Sequence, residues 1–139
     1  LFTAHVTATG GRNGRCESND GALKVELAKP VEMGGSPRPG TVTPEHLFSA
    51  AYGACFGGAL EFVGGQKKKD MSRTKVVCST SVGPRDKGGY GLSVHMRVED
   101  SSMPKAELEA LVNEAHEKVC PFSHATRNNV PVTIEIVGA

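Results

Sequence analysis

Residues 43–62, TPEHLFSAAYGACFGGALEF, decide the fold because they predict one long apolar helix. Thr43 is a suitable N-cap, Pro44 suits the first helical position, and Glu45 lies where the helix dipole favours a carboxylate. Little before Glu61 is polar, so we expect a central helix that is covered on most sides, in part by close backbone approach at its small residues. Apolar and small residues recur at helical spacing at Leu47, Ala50, Ala51, Ala54, Cys55, Gly58, Ala59 and Phe62.

Segments on both sides of this helix alternate apolar and polar residues and therefore predict β-strands. They are residues 2–9, 22–28, 73–83, 90–100 and 130–137. A glycine-rich turn, GGRNGR at 10–15, follows the first strand, and a second helix is predicted over 101–119. The order ββ-α-ββ-α-β predicts an α+β fold, with antiparallel sheets packed on two central helices and a single domain over residues 1–139.

Composition and charge exclude several classes of function. The 139 residues are 38% hydrophobic and 22% charged, as in ordinary globular proteins, and the net charge of +1 provides no basic face for nucleic acid or an anionic membrane. No apolar segment is expected to reach the ~20 residues that span a bilayer, and no signal-peptide pattern opens the chain. We expect a cytoplasmic protein, and because the chain begins with Leu1 we expect a few residues to precede it.

The four cysteines are spaced too widely for a disulfide scaffold. They lie at positions 16, 55, 78 and 120, and none belongs to a CxxC motif. In a reducing compartment we expect no permanent bridge among them. Cys16 is predicted to be a strand-end thiol and Cys78 a filler of the core.

Cys55 is the strongest candidate for a nucleophile. Only the thiolate attacks, and burial among small apolar neighbours raises the pKa of a thiol. A position in the middle of a helix gains little from the helix dipole, so Cys55 needs a cation. Arg12, which projects from the glycine-rich turn, is the candidate because its guanidinium stays charged and has directional donors.

Cys120 is a candidate partner for Cys55. It precedes Pro121 at a helix end, where the chain can reorient, but a bridge requires Cα atoms within about 7 Å. The sequence leaves open whether the two are a redox pair or unrelated core thiols. His116, Cys120 and His124 share the spacing of helical metal ligands, but Pro121 breaks that helix and no fourth ligand is evident. We therefore expect neither a metal nor another cofactor.

Three blocks of the chain carry a resemblance to a known family. They are TATGGRNGR at 7–15, TPEHLFSAAYGACFGGAL at 43–60 and VCPFSHATRNN at 119–129. They closely resemble, in order and spacing, the signature blocks of the organic hydroperoxide resistance (Ohr) proteins of the OsmC/Ohr family. The last block favours the Ohr branch over the OsmC branch, and an OsmC-type peroxidase of broader specificity remains the alternative.

The resemblance implies an OsmC/Ohr-like fold, an intertwined homodimer and a thiol-dependent peroxidase that reduces organic hydroperoxides to alcohols. It implies that Cys55 attacks the peroxide and that Cys120 resolves the resulting sulfenic acid as an intramolecular disulfide. Arg12 and Glu45 would orient the thiolate. The implied reductant is a dihydrolipoyl group on a lipoylated protein, or another dithiol, and no nucleic acid or membrane partner is implied.

Two further expectations follow from the positions of these residues. Ten residues of helix rise about 15 Å, so we expect Glu45 and Arg12 to reach Cys55 across a dimer interface. An apolar lining around Cys55 would suit an alkyl or lipid hydroperoxide, and the predicted substrate-binding residues are Phe48, Tyr52 and Phe56. The rival hypotheses are a metal-binding dimer and a redox sensor without turnover.

Overall fold

A computed structural model describes the whole chain, residues 1–139. It forms two compact units, Leu1–Leu47 and Phe48–Ala139, which are described in turn. The single domain over residues 1–139 stays a prediction.

The first unit contains a three-stranded antiparallel sheet in the order β1-β2-β3. Its strands are β1 (Val6–Thr9), β2 (Arg15–Ser18) and β3 (Lys24–Glu26). We expected two strands here, and β2 is the addition. It has only four residues and lies between a glycine-rich turn and a hairpin loop, so it has little alternation of its own. Pairing with both neighbours makes it a strand.

Helix α1 (Pro44–Gln66) begins as predicted. The Thr43 hydroxyl accepts a hydrogen bond from the backbone N–H of His46 at 3.2 Å, and the Thr43 N–H donates to Nδ1 of His46 at 3.0 Å. This reciprocal arrangement has the geometry of a capping box, with histidine in the place of the usual glutamate. It satisfies two backbone donors at the helix start and fixes where α1 begins.

The second unit contains a three-stranded sheet in the order β4-β5-β6. Its strands are β4 (Lys75–Pro84), β5 (Tyr90–Glu99) and β6 (Val132–Val137). β4 and β5 are an antiparallel hairpin, as expected, whereas β6 runs parallel to β5. Parallel neighbours need a long crossover connection, and the helical segment between β5 and β6 provides it.

That connection differs from the single helix predicted over 101–119. It consists of α2 (Lys105–Glu114), a π-helical turn (Ala115–Val119) and a short helix α3 (Pro121–Thr126). Pro104 precedes α2, so the helix starts four residues later than expected. The chain extends at Cys120 and re-enters a helix at Pro121, which suits a first helical position. The element order is therefore βββ-α-ββ-αα-β, within the predicted α+β class.

The core of the second unit lies between α1, α2 and one face of the sheet. Tyr52, Phe56 and Val63 of α1 are fully buried. Met96 and Val98 of β5 face them from the sheet, also with no exposed surface. Leu108 and Val112 are the corresponding buried residues of α2.

Helix α1 has one uncovered side in the single chain, and its cover on most sides, for which a second copy of the chain is one alternative, stays a prediction. Exposed small and apolar residues form a stripe at positions 50, 51, 54, 58 and 62, with the charged Glu61 also on this side, and Phe62 is 56% exposed. By length and composition alone, α1 is also long and apolar enough to cross a membrane. This corrects the expectation that no apolar segment of the chain reaches that length. A core helix of a soluble protein passes the same test, and one face of α1 packs into the hydrophobic core.

Candidate active site

Arg12 and Glu45 form a bidentate ion pair in the first unit. Nη1 of Arg12 donates to Oε2 of Glu45 at 3.1 Å, and Nη2 donates to Oε1 at 2.7 Å. Arg12 lies in a 3₁₀ turn (Gly11–Asn13) that closes against β1. A Cβ at Gly14 would lie 1.7 Å from the Thr9 carbonyl oxygen, so this turn requires glycine there. The turn thereby projects Arg12 towards the first turn of α1.

The pair is ionised and has donors to spare. The hydrogen bond with Arg12 lowers the pKa of Glu45 against the opposing effect of burial, and the same bond raises the pKa of Arg12. The Glu45 side chain is 13% exposed and that of Arg12 is 33% exposed. A guanidinium has five N–H donors, of which Glu45 engages two. The others are available to an oxygen or sulfur anion.

The second unit brings Cys55 and Cys120 together. Both are free thiols, Cys55 half-buried in the middle of α1 and Cys120 only 2% exposed. Burial is the main cause that raises the pKa of Cys55, and the charge and hydrogen bond of the neighbouring Cys120 thiol add to it. The nearby backbone N–H of Phe122 lowers that pKa. Two neighbouring thiols are the arrangement from which a disulfide can form.

The π-helical turn determines where the Cys120 thiol lies. The Cys120 N–H donates to the Ala115 carbonyl oxygen at 2.8 Å, five residues back rather than four. Cys120 then takes an extended conformation, and Pro121 starts α3. The predicted break in helical geometry at Cys120–Pro121 is confirmed. π-helical turns inside helices occur frequently at functional sites.

A buried polar network ties α3 to its neighbours. The Ser123 hydroxyl lies 2.8 Å from the Tyr52 hydroxyl and 2.7 Å from Nδ1 of His116. The Tyr52 hydroxyl also lies 3.3 Å from Oγ1 of Thr126. Burial lowers the pKa of His116, and the nearby charge of Arg127 lowers it further. Because its pKa is lowered, His116 is neutral at neutral pH, and the network carries no charge.

Sequence reasoning missed Ser123, Thr126 and the Phe122 N–H. The available signal was the presence of Ser and Thr three residues apart in a short segment that begins with Cys-Pro. Small polar side chains in a buried helix need partners, and here they find Tyr52 and His116. Tyr52 lies far from Ser123 and Thr126 in sequence. The Ser and Thr residues therefore indicate that a polar network exists, but they do not indicate which residues complete it.

The three predicted substrate-binding residues have different environments. Tyr52 and Phe56 have no exposed surface, whereas Phe48 is half-buried at the edge of the core. The ring of Phe48 lies edge-on to that of Tyr52, with centroids 6.3 Å apart. Of the three, Phe48 alone offers surface to a bound molecule in the single chain. Their contact with substrate stays a prediction.

The other two cysteines lie apart from this site. Cys78 of β4 packs against the core, where burial raises its pKa and the nearby hydroxyls of Ser49 and Thr80 oppose that rise. Cys16 lies within β2, opposite Ala8 and Val25, rather than at a strand end. No group of three or more His, Cys, Asp or Glu side chains is arranged to hold a metal ion.

The chain is similar to known proteins over nearly its whole length. The family model described as OsmC-like protein matches residues 35–135. The organic hydroperoxide resistance protein of Xanthomonas axonopodis pv. citri (strain 306) is 46% identical over 137 residues, which are 98% of this chain and 94% of that protein.

Two solved structures share the fold. The organic hydroperoxide resistance protein from Elizabethkingia anophelis superposes with a TM-score of 0.92 at 37% identity, covering 100% of this chain and 98% of that one. The organic hydroperoxide resistance protein OhrB of Bacillus subtilis gives a TM-score of 0.85 at 40% identity, covering 98% of each chain. Both confirm the predicted fold class.

Proposed function

Because this chain belongs to the OsmC/Ohr family, among relatives named organic hydroperoxide resistance proteins, we propose that it is a cysteine-based peroxidase of organic hydroperoxides. The observation that carries the proposal is the contact between Cys55 and Cys120. One thiol has a half-buried position on an apolar helix, and the other is buried beside it. This is the arrangement that oxidation and resolution by two thiols require.

The proposed reaction has two steps on the protein. The Cys55 thiolate attacks the distal oxygen of the hydroperoxide, the O–O bond breaks, and the alkoxide takes a proton and leaves as alcohol. Cys55 is then a sulfenic acid. The Cys120 thiol condenses with it, water leaves, and a disulfide forms before further oxidation can occur. A dithiol, which we propose to be a dihydrolipoyl group on a protein, returns the two electrons and two protons.

Arg12 is proposed to activate Cys55, and Glu45 to orient Arg12. The environment of Cys55 within its own unit disfavours the thiolate, so a fixed cation is what the reaction lacks. The bidentate pair supplies one with free N–H donors, which can also stabilise charge on the breaking O–O bond. We propose that this occurs across the subunit interface of a homodimer.

The proposed substrate is an alkyl or lipid hydroperoxide rather than hydrogen peroxide. The residues beside Cys55 are small or apolar, and we propose that Phe48, with Tyr52 and Phe56 behind it, forms the apolar wall of the substrate site. Such a wall binds a hydrocarbon chain and offers little to a small polar peroxide. We propose a cytoplasmic location for this activity.

A lipoamide-coupled peroxidase assay with an alkyl hydroperoxide, compared with hydrogen peroxide, tests this function. Cys55→Ser is expected to abolish turnover, since no nucleophile remains. Cys120→Ser is expected to permit one round and then leave Cys55 open to sulfinic acid formation, seen by mass spectrometry. Cys16→Ser and Cys78→Ser are the matched controls and should retain turnover. Turnover by Cys55→Ser, or a clear preference for hydrogen peroxide, would contradict the proposal.

The same assay separates the rival hypotheses. A redox sensor would form the disulfide once and consume no further hydroperoxide when the dithiol is supplied. A metal-binding dimer would release metal on oxidation, whereas the peroxidase should lose two titratable thiols and release none. An OsmC-type enzyme of broader specificity would reduce both peroxides at comparable rates.

A further inference from the structure

A small cleft opens beside the second thiol. It has a volume of about 250 Å³, and its lining includes Val119, Cys120 and Pro121. Cys55 is not part of this lining. Cys120 is therefore a neighbour of Cys55 and also adjoins the cleft.

We propose that this cleft admits the dithiol reductant and that the sulfur of Cys120, rather than that of Cys55, is the one attacked when the disulfide is reduced. The inference rests on the proposed peroxidase function and adds the site and direction of its reductive step.

The chemistry of thiol–disulfide exchange supports this direction. An incoming thiolate attacks one sulfur of the bridge from the side opposite the sulfur that leaves, and the better-stabilised thiolate leaves faster. Within its own unit the pKa of the Cys55 thiol is raised, so the direction of attack depends on Arg12. The proposed contact with Arg12 would stabilise a departing Cys55 thiolate. With that contact, attack at Cys120 from the cleft ejects the better-stabilised thiolate.

The step balances with the dithiol as the only co-reactant. Its first thiolate forms a bond to Cys120, the Cys55–Cys120 bond breaks, and Cys55 leaves as a thiolate. The second thiol of the reductant then attacks the reductant's first sulfur, which is bonded to Cys120, and releases the Cys120 thiol. The reductant leaves as a cyclic disulfide, and the protein gains two electrons and two protons.

The size of the cleft selects a slender reductant. Pockets for drug-sized ligands have volumes of about 300–1,000 Å³, so this cleft is small by comparison. It suits the end of an extended dithiol arm, which needs to bring only one sulfur to Cys120. A bulky dithiol would be held at the rim.

The rim of the cleft favours negative charge. Lys118, His124 and Arg127 are exposed there, together with one carboxylate, Glu117. Neither Lys118 nor Arg127 belongs to an ion pair. Arg127 does donate to the His116 carbonyl oxygen at 2.6 Å, but its charge is not neutralised, and two cations against one carboxylate should speed the approach of a dithiol with an anionic group.

Trapping the mixed disulfide tests which sulfur is attacked. A Cys16→Ser/Cys78→Ser protein is oxidised with one equivalent of an alkyl hydroperoxide, mixed with the anionic monothiol 2-mercaptoethanesulfonate, quenched in acid and mapped by mass spectrometry. The adduct is expected on Cys120, with Cys55 free. An adduct on Cys55 would overturn this inference and leave the peroxidase function standing. Failure of the oxidant to join Cys55 and Cys120 would overturn the proposed function, and this inference with it.

Charge reversal on the rim tests the cleft as the route. The pre-formed disulfide is reduced in a stopped-flow experiment by anionic dihydrolipoate or by neutral dihydrolipoamide. Lys118→Glu is expected to slow reduction by dihydrolipoate about tenfold and to affect dihydrolipoamide less. Lys87→Glu, an exposed reversal in the β4–β5 turn, is the control and should change neither rate. If Lys118→Glu behaves like Lys87→Glu, the cleft is not the route.

Discussion

Cys55 lies among groups with opposing effects on its ionisation. Burial and the Cys120 thiol raise its pKa, while the Phe122 N–H lowers it, and the net direction is upward. A thiol with an ordinary pKa near 8.5 has only a few per cent thiolate at pH 7, and a raised pKa leaves less. The reactivity proposed for Cys55 therefore depends on a cation that its own helix does not provide.

Replacing Arg12 tests that dependence through the pH profile. The thiolate fraction rises with pH, so Arg12→Ala should raise the Cys55 pKa and move the rise in rate to higher pH. At neutral pH the rate of attack should fall about 10²-fold, as when a charge-stabilising donor is removed. Single-turnover rates measured across pH check this. Arg15→Ala, which removes an exposed arginine paired with Glu17, is the control. An unchanged profile in Arg12→Ala would contradict the activating role.

The residues of the site were predictable to different degrees. Arg12 could be chosen because it lies in a glycine-rich turn that projects a side chain, whereas the role of Glu45, which was recognised only as part of a helix start, came from the resemblance. The contact between Cys55 and Cys120 could not be derived, because it depends on a π-helical turn and on packing between segments far apart in sequence. The resemblance, rather than spacing, supplied that pair.

At the scale of elements, α3 holds the second thiol in place. It has only six residues and begins directly after Cys120. Ser123 is its buried anchor, because the same hydroxyl serves Tyr52 and His116. Movement of α3 would displace both Cys120 and the Phe122 N–H that reaches Cys55.

Ser123→Ala should therefore weaken the fold and slow disulfide formation. It leaves Nδ1 of the half-buried His116 without its partner and the Tyr52 hydroxyl with only the longer contact to Thr126, and an unsatisfied buried group typically costs about 1–3 kcal/mol of unfolding free energy. Denaturant unfolding measures this loss, and quenched-flow mass spectrometry measures the rate of bridge formation. Ser93→Ala, at an exposed position of β5, is the control for removal of a hydroxyl. Equal stability of the two variants would show that the network does not anchor α3.

Long elements with strong local signals were predicted, and short ones were not. The start of α1 and the β4–β5 hairpin follow from an N-cap residue and from alternation over many positions. β2 and α3 have four and six residues, too few for a period to show. The parallel direction of β6 is a tertiary property, since it depends on which way the crossover helices return the chain.

For the whole molecule, the exposed stripe of α1 is the surface that favours a second copy of the chain. A soluble protein rarely leaves a large apolar patch uncovered, and this one runs along the helix that contains Cys55. Phe62, 56% exposed, is its largest side chain.

Phe62→Glu is expected to shift the protein towards monomer, because it places a charge in the proposed interface. Sedimentation velocity measures the mass, and the peroxidase assay should show activity falling with the dimer fraction. Tyr90→Glu changes another exposed aromatic residue, on the β4–β5 hairpin, and should leave both unchanged. A Phe62→Glu protein with the mass and activity of the unmodified chain would contradict a dimer through this face.

The π-helical turn before Cys120 also has a consequence for how such a protein can diverge. It accommodates one more residue than an α-helical turn, so closing the same residues as ordinary α-helix would swing the following side chains by about 100°. The direction of residue 120 is therefore set by the wider turn itself, and a change that restores α-helical hydrogen bonding at the same length re-aims it. We expect descendants of this sequence to keep the wider turn more strictly than its composition.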